Sequence, residues 1–411
     1  MTSEVLIMNR QGVALAADSA VTTRSGGSAL VTMEAEKVFE IGQSIGLMVY
    51  NRGDLVGRSW SQIAHAFHSH NGGRAFASVE ESADALFTFM QSNQDLFPAQ
   101  EAQAEFSGLV GYLFAIVVDH ARFMMQGEQG LAGEIEAFRV ALDIYLNHVR
   151  MDHRGEPRSA LPVFADMSPE GFETEHGPTI NAVIDMMFPG EAPADDLRMA
   201  MHEYVFYAVT RPVFIEPFTG MVFAGFGEND TFPTSEVYFS SFLTGGRLKR
   251  QHNGTLAMSG VAGPRGIVST FAQADMTHTF MRGIHPYLYE QMTDLAIIAA
   301  EVAAQTALEE AELDEEKIAE VMARMQAQHL PQIARTYEHY VSTIAQQEFT
   351  EPVLKVVEAA GKRQIAEIAR ILVELNIIKG ELHQRQSGVG GDIDVAMITR
   401  KHGFEWYANK N

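Results

Sequence analysis

The chain has 411 residues, of which 46% are hydrophobic and 20% are charged, a balance typical of globular rather than disordered proteins. Its formal net charge is −23, so most of its surface would repel a nucleic-acid backbone or an anionic membrane. The sequence contains no cysteine, which excludes disulfides, a thiolate nucleophile and cysteine-ligated metal sites. It has no secretory-type N-terminus and no apolar run of about 20 residues, so we expect a soluble cytoplasmic protein without nucleic-acid or membrane partners.

The first fifty residues have the alternation and turn residues that are typical of strands. Strands are predicted over residues 5–9, 12–17, 37–41 and 45–50. From Asp54 onward the apolar residues follow a helical spacing instead, with Leu55, Trp60 and Phe67 able to share one face. The N-terminal segment is therefore predicted to be two hairpins followed by a helix.

The remaining chain is mostly helical by its pattern. Helices are predicted over residues 79–97, 133–149 and 194–210, strands over 221–226 and 235–243, a helical region over 265–385 and the last strand over 394–400. The Glu-rich stretch 307–327 indicates a solvated helix, with an interaction face as the alternative. Strands at both ends with helices between them favour a layered α+β fold in which the first and last strands join one antiparallel sheet.

Several short motifs occur in an order that is known from one family. Thr2 is followed by GVALAAD at 12–18, KVFEI at 37–41, IGLM at 45–48, the Gly53-Asp54 step and, near the C-terminus, GGDIDVAMIT at 390–399. Together they resemble the catalytic proteasome β-subunits and their bacterial relatives, which are N-terminal nucleophile (Ntn) hydrolases. The resemblance covers roughly residues 1–70, 219–265 and 360–405, and it indicates a divergent homologue with helical insertions near 78–211 and 280–350.

The resemblance implies a four-layer αββα Ntn-hydrolase sandwich, formed as a single domain over residues 1–411, and a hydrolase of amide bonds with peptides as the expected substrates. Thr2 would be the nucleophile once Met1 is removed, because an N-terminal threonine carries a base in its own α-amine. Lys37 would lie beside the hydroxyl and favour its ionised form, and Asp18 would hold Lys37 by a charge-assisted hydrogen bond.

The same resemblance assigns residues to substrate binding. The backbone N–H of the oxyanion hole falls on Asn51, where the family has glycine, and asparagine tolerates an unusual φ better than most residues. Main-chain groups of Ala20 and Thr22 would pair with an extended substrate. The pocket for the residue before the scissile bond would be lined by Val21, Ala35 and Val49. These small apolar walls predict a preference for an uncharged, apolar side chain.

The sequence departs from the family pattern at supporting polar positions. The Asp and Ser that precede the closing Gly-Gly fall on Gln386 and Val389, and the family's Gly-Ser-Gly step maps onto Val261-Ala262-Gly263. Three functions therefore stay open. The first is peptide hydrolysis, the second is an Ntn amidase that acts on a small molecule, and the third is a catalytically degenerate protein whose fold serves assembly or partner binding.

No motif in the sequence indicates a metal or a cofactor. His65, His68 and His70 are close together, but their spacing fits no known metal motif and favours a solvated helix end. The glycine-rich stretch 260–266 lacks the lysine and the Ser/Thr of a phosphate loop. The family works as rings that enclose a chamber, so the resemblance implies a homo-oligomer, either a ring or a stacked assembly, with any ATPase partner unknown.

Overall fold

The structure is a computed structural model that describes residues 2–25, 28–32, 35–125, 131–190, 192–258, 263–311, 313–382 and 390–409. Its strands are β1 (Ser3–Asn9), β2 (Gly12–Asp18), β3 (Val21–Ser25), β4 (Ser28–Thr32), β5 (Val38–Gly42), β6 (Ile45–Asn51), β7 (Asp54–Leu55), β8 (Arg58–Ser59), β9 (Thr219–Gly225), β10 (Thr234–Thr244), β11 (Arg247–Ala257), β12 (Gly266–Ala272), β13 (Ile393–Thr399) and β14 (Gly403–Ala408). Its helices are α1 (Trp60–Asn71), α2 (Val79–Ser92), α3 (Ala99–Met125), α4 (Leu131–Arg150), α5 (Pro169–Met187), α6 (Asp195–Thr210), α7 (Asp275–Arg282), α8 (Pro286–Glu310), α9 (Glu315–Arg324), α10 (Leu330–Ile344), α11 (Glu351–Ala359) and α12 (Lys362–Leu382). The α+β class is confirmed.

The chain divides into two compact units. The first contains Met1–Ala35, Met258–Arg400 and Glu405–Asn411, and the second contains Glu36–Ala257 and Lys401–Phe404. The sheet of the first unit has the order β12-β1-β2-β13-β14, and its pairs β12–β1, β1–β2 and β2–β13 are antiparallel. Strands from the two ends of the chain thus share one antiparallel sheet, as the sequence predicts.

One face of this sheet is covered by α12. Alternate residues of a strand point to the same face, and Val5 and Ile7 of β1 join Ala14 and Ala16 of β2 in an apolar cluster with α12. The alanines of β2 are short enough to let the helix lie close to the middle of the sheet. Glu4 and the other even-numbered residues of β1 therefore lie on the other face, and Thr2, just before the strand, continues the same alternation.

Two sequence predictions are wrong in the first unit. The helical region predicted over 265–385 begins with a strand, since Gly266–Ala272 pair along the whole of β1 and the helices start only at Asp275. The sequence GIVSTFA is rich in β-branched residues, and the free edge of β1 decides its conformation. Residues 394–400 are also not the last strand, because Gly403–Ala408 form β14 after the turn at Lys401 and His402.

The sheet of the second unit has the order β11-β10-β9-β6-β5, with antiparallel neighbours. It packs against α1 and α2 through an apolar cluster that includes Leu47, Trp60 and Phe87. The helix predicted from Asp54 begins later, at Trp60, behind a capping box formed by Ser59 and Gln62. The residues before it form the short β7–β8 hairpin instead.

Helices α3 to α6 form a further apolar cluster in the second unit, in the region predicted to be helical. Helix α3 is long and apolar enough to cross a membrane by length and composition alone, which corrects the expectation that no such run exists. One third (33%) of its most apolar window is buried, and its inward side chains, among them Phe106, Val110 and Phe114, pack in this cluster. Its apolar face thus has a packing role within the unit.

Candidate functional site

Thr2 and Asp18 meet at one end of the sheet of the first unit. The Thr2 hydroxyl donates a hydrogen bond of 2.9 Å to Asp18 Oδ1, although the two residues are 16 positions apart. The same oxygen accepts a bond of 3.0 Å from the backbone N–H of Ser3, and Asp18 Oδ2 accepts one of 2.8 Å from the N–H of Gly390. These three bonds hold the carboxylate of Asp18 in one orientation. Asp18 therefore joins the starts of β1 and β13 around the candidate nucleophile.

The backbone on the other side of Thr2 is also held. The carbonyl of Thr2 accepts a hydrogen bond of 2.9 Å from the N–H of Gln273. The residue before it, Ala272, pairs with Ser3 and has a φ of 56°. The left-handed region costs about 1–2 kcal/mol for a residue with a Cβ. Residues held in the left-handed region cluster at functional sites, and Ala272 lies next to Thr2.

A second carboxylate, that of Glu4, contacts the same hydroxyl. Glu4 Oε1 is a hydrogen-bond acceptor of Thr2 Oγ, and Glu4 is only 1% exposed. A hydroxyl carries a single proton, so it can donate to only one of these carboxylates at a time. Sequence reasoning missed Glu4, although the signal was present. A charged residue in the apolar strand SEVLIMN, two positions after Thr2, must point to the same face as Thr2.

This face of the sheet carries more buried negative charge. Glu4 of β1 and Asp394 of β13 both pair with Ala17 of β2, from opposite sides, and both are nearly inaccessible to solvent. Neighbouring strands are about 4.8 Å apart, so the two backbones are about 10 Å apart. The residues that the structure describes contain no group of three acids or histidines that could hold a metal ion. Buried carboxylates of this kind need positive charge or protons nearby.

Asn376 of α12 supports the start of β1 from the other face. Its amide Nδ2 donates to Ser3 Oγ at 2.9 Å and to Thr277 Oγ1 at 3.1 Å, and its Oδ1 accepts from the N–H of Met276 at 3.2 Å. Asn376 is buried between apolar residues of α12. A buried amide with three such partners links β1, α7 and α12. Only its polar character within an apolar helix face could have indicated this role.

Lys37, Val49 and Asn51 belong to the second unit. Lys37 is buried directly before β5, and its carbonyl accepts a hydrogen bond of 2.9 Å from the N–H of Val49. Asn51 ends β6 with a φ of 68°, in the left-handed region where asparagine is enriched. Thr2 and Asp18 belong to the first unit, so the proximity of Lys37 to Thr2 stays a prediction.

The residue that follows Asn51, Arg52, is held by hydrogen bonds and ion pairs. The carbonyl of Arg52 accepts hydrogen bonds from Thr219 Oγ1 at 2.8 Å and from Trp60 Nε1 at 3.2 Å. Its guanidinium contacts Glu105 and donates to Asp54 at 3.1 Å. Burial alone would lower the pKa of Arg52, but the carboxylates of Glu105 and Asp54 together outweigh this effect and raise the pKa above its ordinary value. The turn after β6 is thus rigid where the sequence predicts an oxyanion-binding N–H.

The other predicted substrate-binding positions lie in the first unit. Ala20 is buried, and the N–H of Ala35 donates to the carbonyl of Ser19 at 3.0 Å. Val21 and Thr22 belong to β3, which pairs with β4, but their side chains lie outside what the structure describes. Several positions of the family pattern lie outside the described residues as well: Gln386, Val389, Val261 and Ala262. The substrate-binding roles therefore stay predictions.

Two sequence comparisons with known proteins give no match. The sequence matches no protein-family model, and a search of the curated proteins finds no match. A function for this chain therefore has to be inferred from the geometry of the carboxylates around the Thr2 hydroxyl.

Proposed function

We propose that this chain is an N-terminal threonine hydrolase that cleaves amide bonds, with peptides as its substrates. The observation that carries the proposal is the Thr2 hydroxyl, held between the buried carboxylates of Asp18 and Glu4 at the first strand of the chain. The finer fold that we propose is the four-layer αββα sandwich of Ntn hydrolases, with the two antiparallel sheets as its central layers. The helices within 78–211 and 280–350 would be insertions.

The proposed reaction starts when removal of Met1 frees the α-amine of Thr2. Thr2 Oγ attacks the substrate carbonyl, its proton leaves to a base, and the tetrahedral intermediate expels the amine product, which takes a proton as the C–N bond breaks. Water then hydrolyses the acyl ester on Thr2. Lys37 would supply positive charge beside Oγ, and the N–H of Asn51, in its left-handed conformation, would donate to the oxyanion.

Glu4 is the base that we propose for the first proton transfer. Once Met1 is removed, the α-amine of Thr2 would lie near the carboxylates of Glu4 and Asp18, where a positive charge would offset their buried negative charge. Glu4 Oε1 is in hydrogen-bond contact with Thr2 Oγ, so the proton has a direct path from Oγ to Oε1. The same carboxylic acid can then protonate the leaving amine.

Glu4→Gln is expected to lower the rate of acylation by about 10²–10⁴-fold, since the amide still accepts a hydrogen bond but takes up no proton. The pH–rate profile of acylation should also change, because the variant has no carboxylate to accept the proton. Pre-steady-state measurement with a fluorogenic amide from pH 4 to 9 would show both effects. Asp394→Asn is the matched control, because its buried carboxylate lies on the same face of the sheet and its backbone is about 10 Å from that of Glu4. An unchanged profile in Glu4→Gln would assign the base to the α-amine.

The proposed function is tested by treating the wild-type protein with an epoxyketone or a vinyl sulfone, followed by intact-mass and peptide mapping. We expect one adduct per chain on the N-terminal peptide, and only on molecules that have lost Met1. Protein that has lost Met1 and forms no adduct would overturn the proposal in favour of a degenerate protein of this fold. A panel of peptide and small-molecule amides then separates a peptidase from a small-molecule amidase.

A further inference from the structure

Helix α8 has a long apolar surface that no other described part of the chain covers. Within Pro286–Glu310, all of which the structure describes, Thr293 is the only buried residue. The inner side of the helix lies along α10, where Tyr289 donates to the carbonyl of Glu338 at 3.4 Å. Five large apolar side chains on the outer side are between 40% and 62% exposed: Leu288, Met292, Leu295, Ile298 and Val302.

The spacing of these residues is that of a helix-pairing seam. Leu288, Met292, Leu295 and Val302 follow one another at intervals of four, three and seven residues, and the exposed Ala299 lies in the gap. Intervals of three and four that repeat every seven residues keep side chains on one stripe, which is the pattern of helices that pack against each other. The stripe is therefore suited to packing against another helix rather than to contact with water.

The charges at the ends of α8 indicate the direction of that helix. Glu309 and Glu310 end α8, which has no acid in its first turn and no base in its last turn. Acidic residues at a helix C-terminus oppose the helix dipole, which favours them at an N-terminus. The exposed Arg282 lies just before the N-terminus of α8. An antiparallel helix of the same sequence would bring its glutamates to this positive end, whereas a parallel one would bring glutamates together.

We propose that α8 is a self-association surface, which pairs with α8 of a second copy of the chain in antiparallel orientation around a two-fold axis near Ile297. In this register Met292 of each copy faces Val302 of the other, and Leu295 faces Ala299, so large side chains meet small ones. The contact is about 37 Å long and about 10 Å wide, which places it among the weak, reversible interfaces. The pairing does not depend on the proposed hydrolase activity.

The register is tested by single cysteines, because the chain has none of its own. Ile298→Cys lies next to the axis and should form a covalent dimer under mild oxidation. Val302→Cys should not, since its two copies are about 15 Å apart along antiparallel helices, beyond the reach of a disulfide. A mixture of Met292→Cys and Val302→Cys should cross-link. Cross-linking of Val302→Cys alone would indicate parallel helices and overturn the proposed geometry.

The surface itself is tested by sedimentation equilibrium of the full chain up to about 200 μM, a range chosen for an interface of this size. The wild type should dimerise reversibly, and Leu295→Glu should weaken dimerisation by about 30-fold or more, since two-fold symmetry places two buried glutamates at the centre. Met199→Glu, at an equally exposed position of α6, should dimerise like the wild type. A wild-type monomer at all concentrations, or an unaffected Leu295→Glu dimer, would overturn the proposal.

Discussion

Thr2→Ala is expected to abolish the electrophile adduct and to lower amide hydrolysis by about 10⁴-fold or more, because the variant lacks the hydroxyl that we propose as the nucleophile. The fold should persist, since the change removes a single hydroxyl whose hydrogen bonds contribute only about 1 kcal/mol each. Alanine at position 2 is also small, so Met1 should be removed as in the wild type. Intact mass, circular dichroism and a fluorogenic amide assay on one preparation measure all three expectations.

Thr2→Ser is the matched control for this experiment. Serine keeps the hydroxyl that contacts Asp18 and Glu4, so the variant should form the adduct and keep part of the activity. Activity that survives in Thr2→Ala would mean that a different group is the nucleophile. Equal loss in both variants, with Met1 removed, would mean that the methyl group positions the hydroxyl and that the packing around Thr2 limits the reaction.

Local pattern explains which parts of the site could be predicted from the sequence. Alternation and turn residues are sufficient to place β1 and β2, and their antiparallel pairing brings Asp18 to Thr2. The left-handed φ of Asn51 agrees with the choice of asparagine over other non-glycine residues. Glu4 could have been found by the same alternation.

Contacts between residues far apart in the sequence explain the features that local sequence patterns could not predict. Residues 266–272 form a strand because β1 offers an unpaired edge, and a pattern within the segment does not contain that information. Asn376 is a similar case, since its partners lie on β1 and α7, far away in the sequence. A buried polar residue is chosen for the groups that surround it, and these groups are known only once the chain has folded.

A buried ion pair in the second unit carries the other large prediction. The Lys249 ammonium is completely buried and donates to three acceptors, the carbonyls of Ala208 at 2.7 Å and Val213 at 2.6 Å and the carboxylate of Glu216 at 2.7 Å. Glu216 also accepts from Ser241 Oγ at 2.8 Å. Burial lowers the pKa of the Lys249 ammonium, and the Glu216 carboxylate opposes this effect. The pair therefore stabilises the fold only while both members are present.

Lys249→Met is expected to lower the free energy of unfolding by about 3–5 kcal/mol, because it leaves the Glu216 carboxylate buried without its counter-charge. The double variant Lys249→Met, Glu216→Leu should recover part of this loss, since it removes the stranded charge. Recovery should be incomplete, because the carbonyls of Ala208 and Val213 still lose their donor. The measurement is urea unfolding followed by the fluorescence of Trp60, in a Trp406→Phe background, since the chain has only 2 tryptophans and Trp60 is buried in the second unit.

Arg250→Met is the control that separates burial from charge. Arg250 is the next residue of β11, and its ion pair with Asp84 is 3.6 Å long, with 28% and 58% of the two side chains exposed. Water screens such a pair, so its loss should change the free energy of unfolding by about 1 kcal/mol or less. A Lys249→Met variant no less stable than Arg250→Met would show that Glu216 finds another partner or takes up a proton. A double variant less stable than Lys249→Met would instead show that the carbonyls, rather than the stranded carboxylate, account for most of the destabilisation.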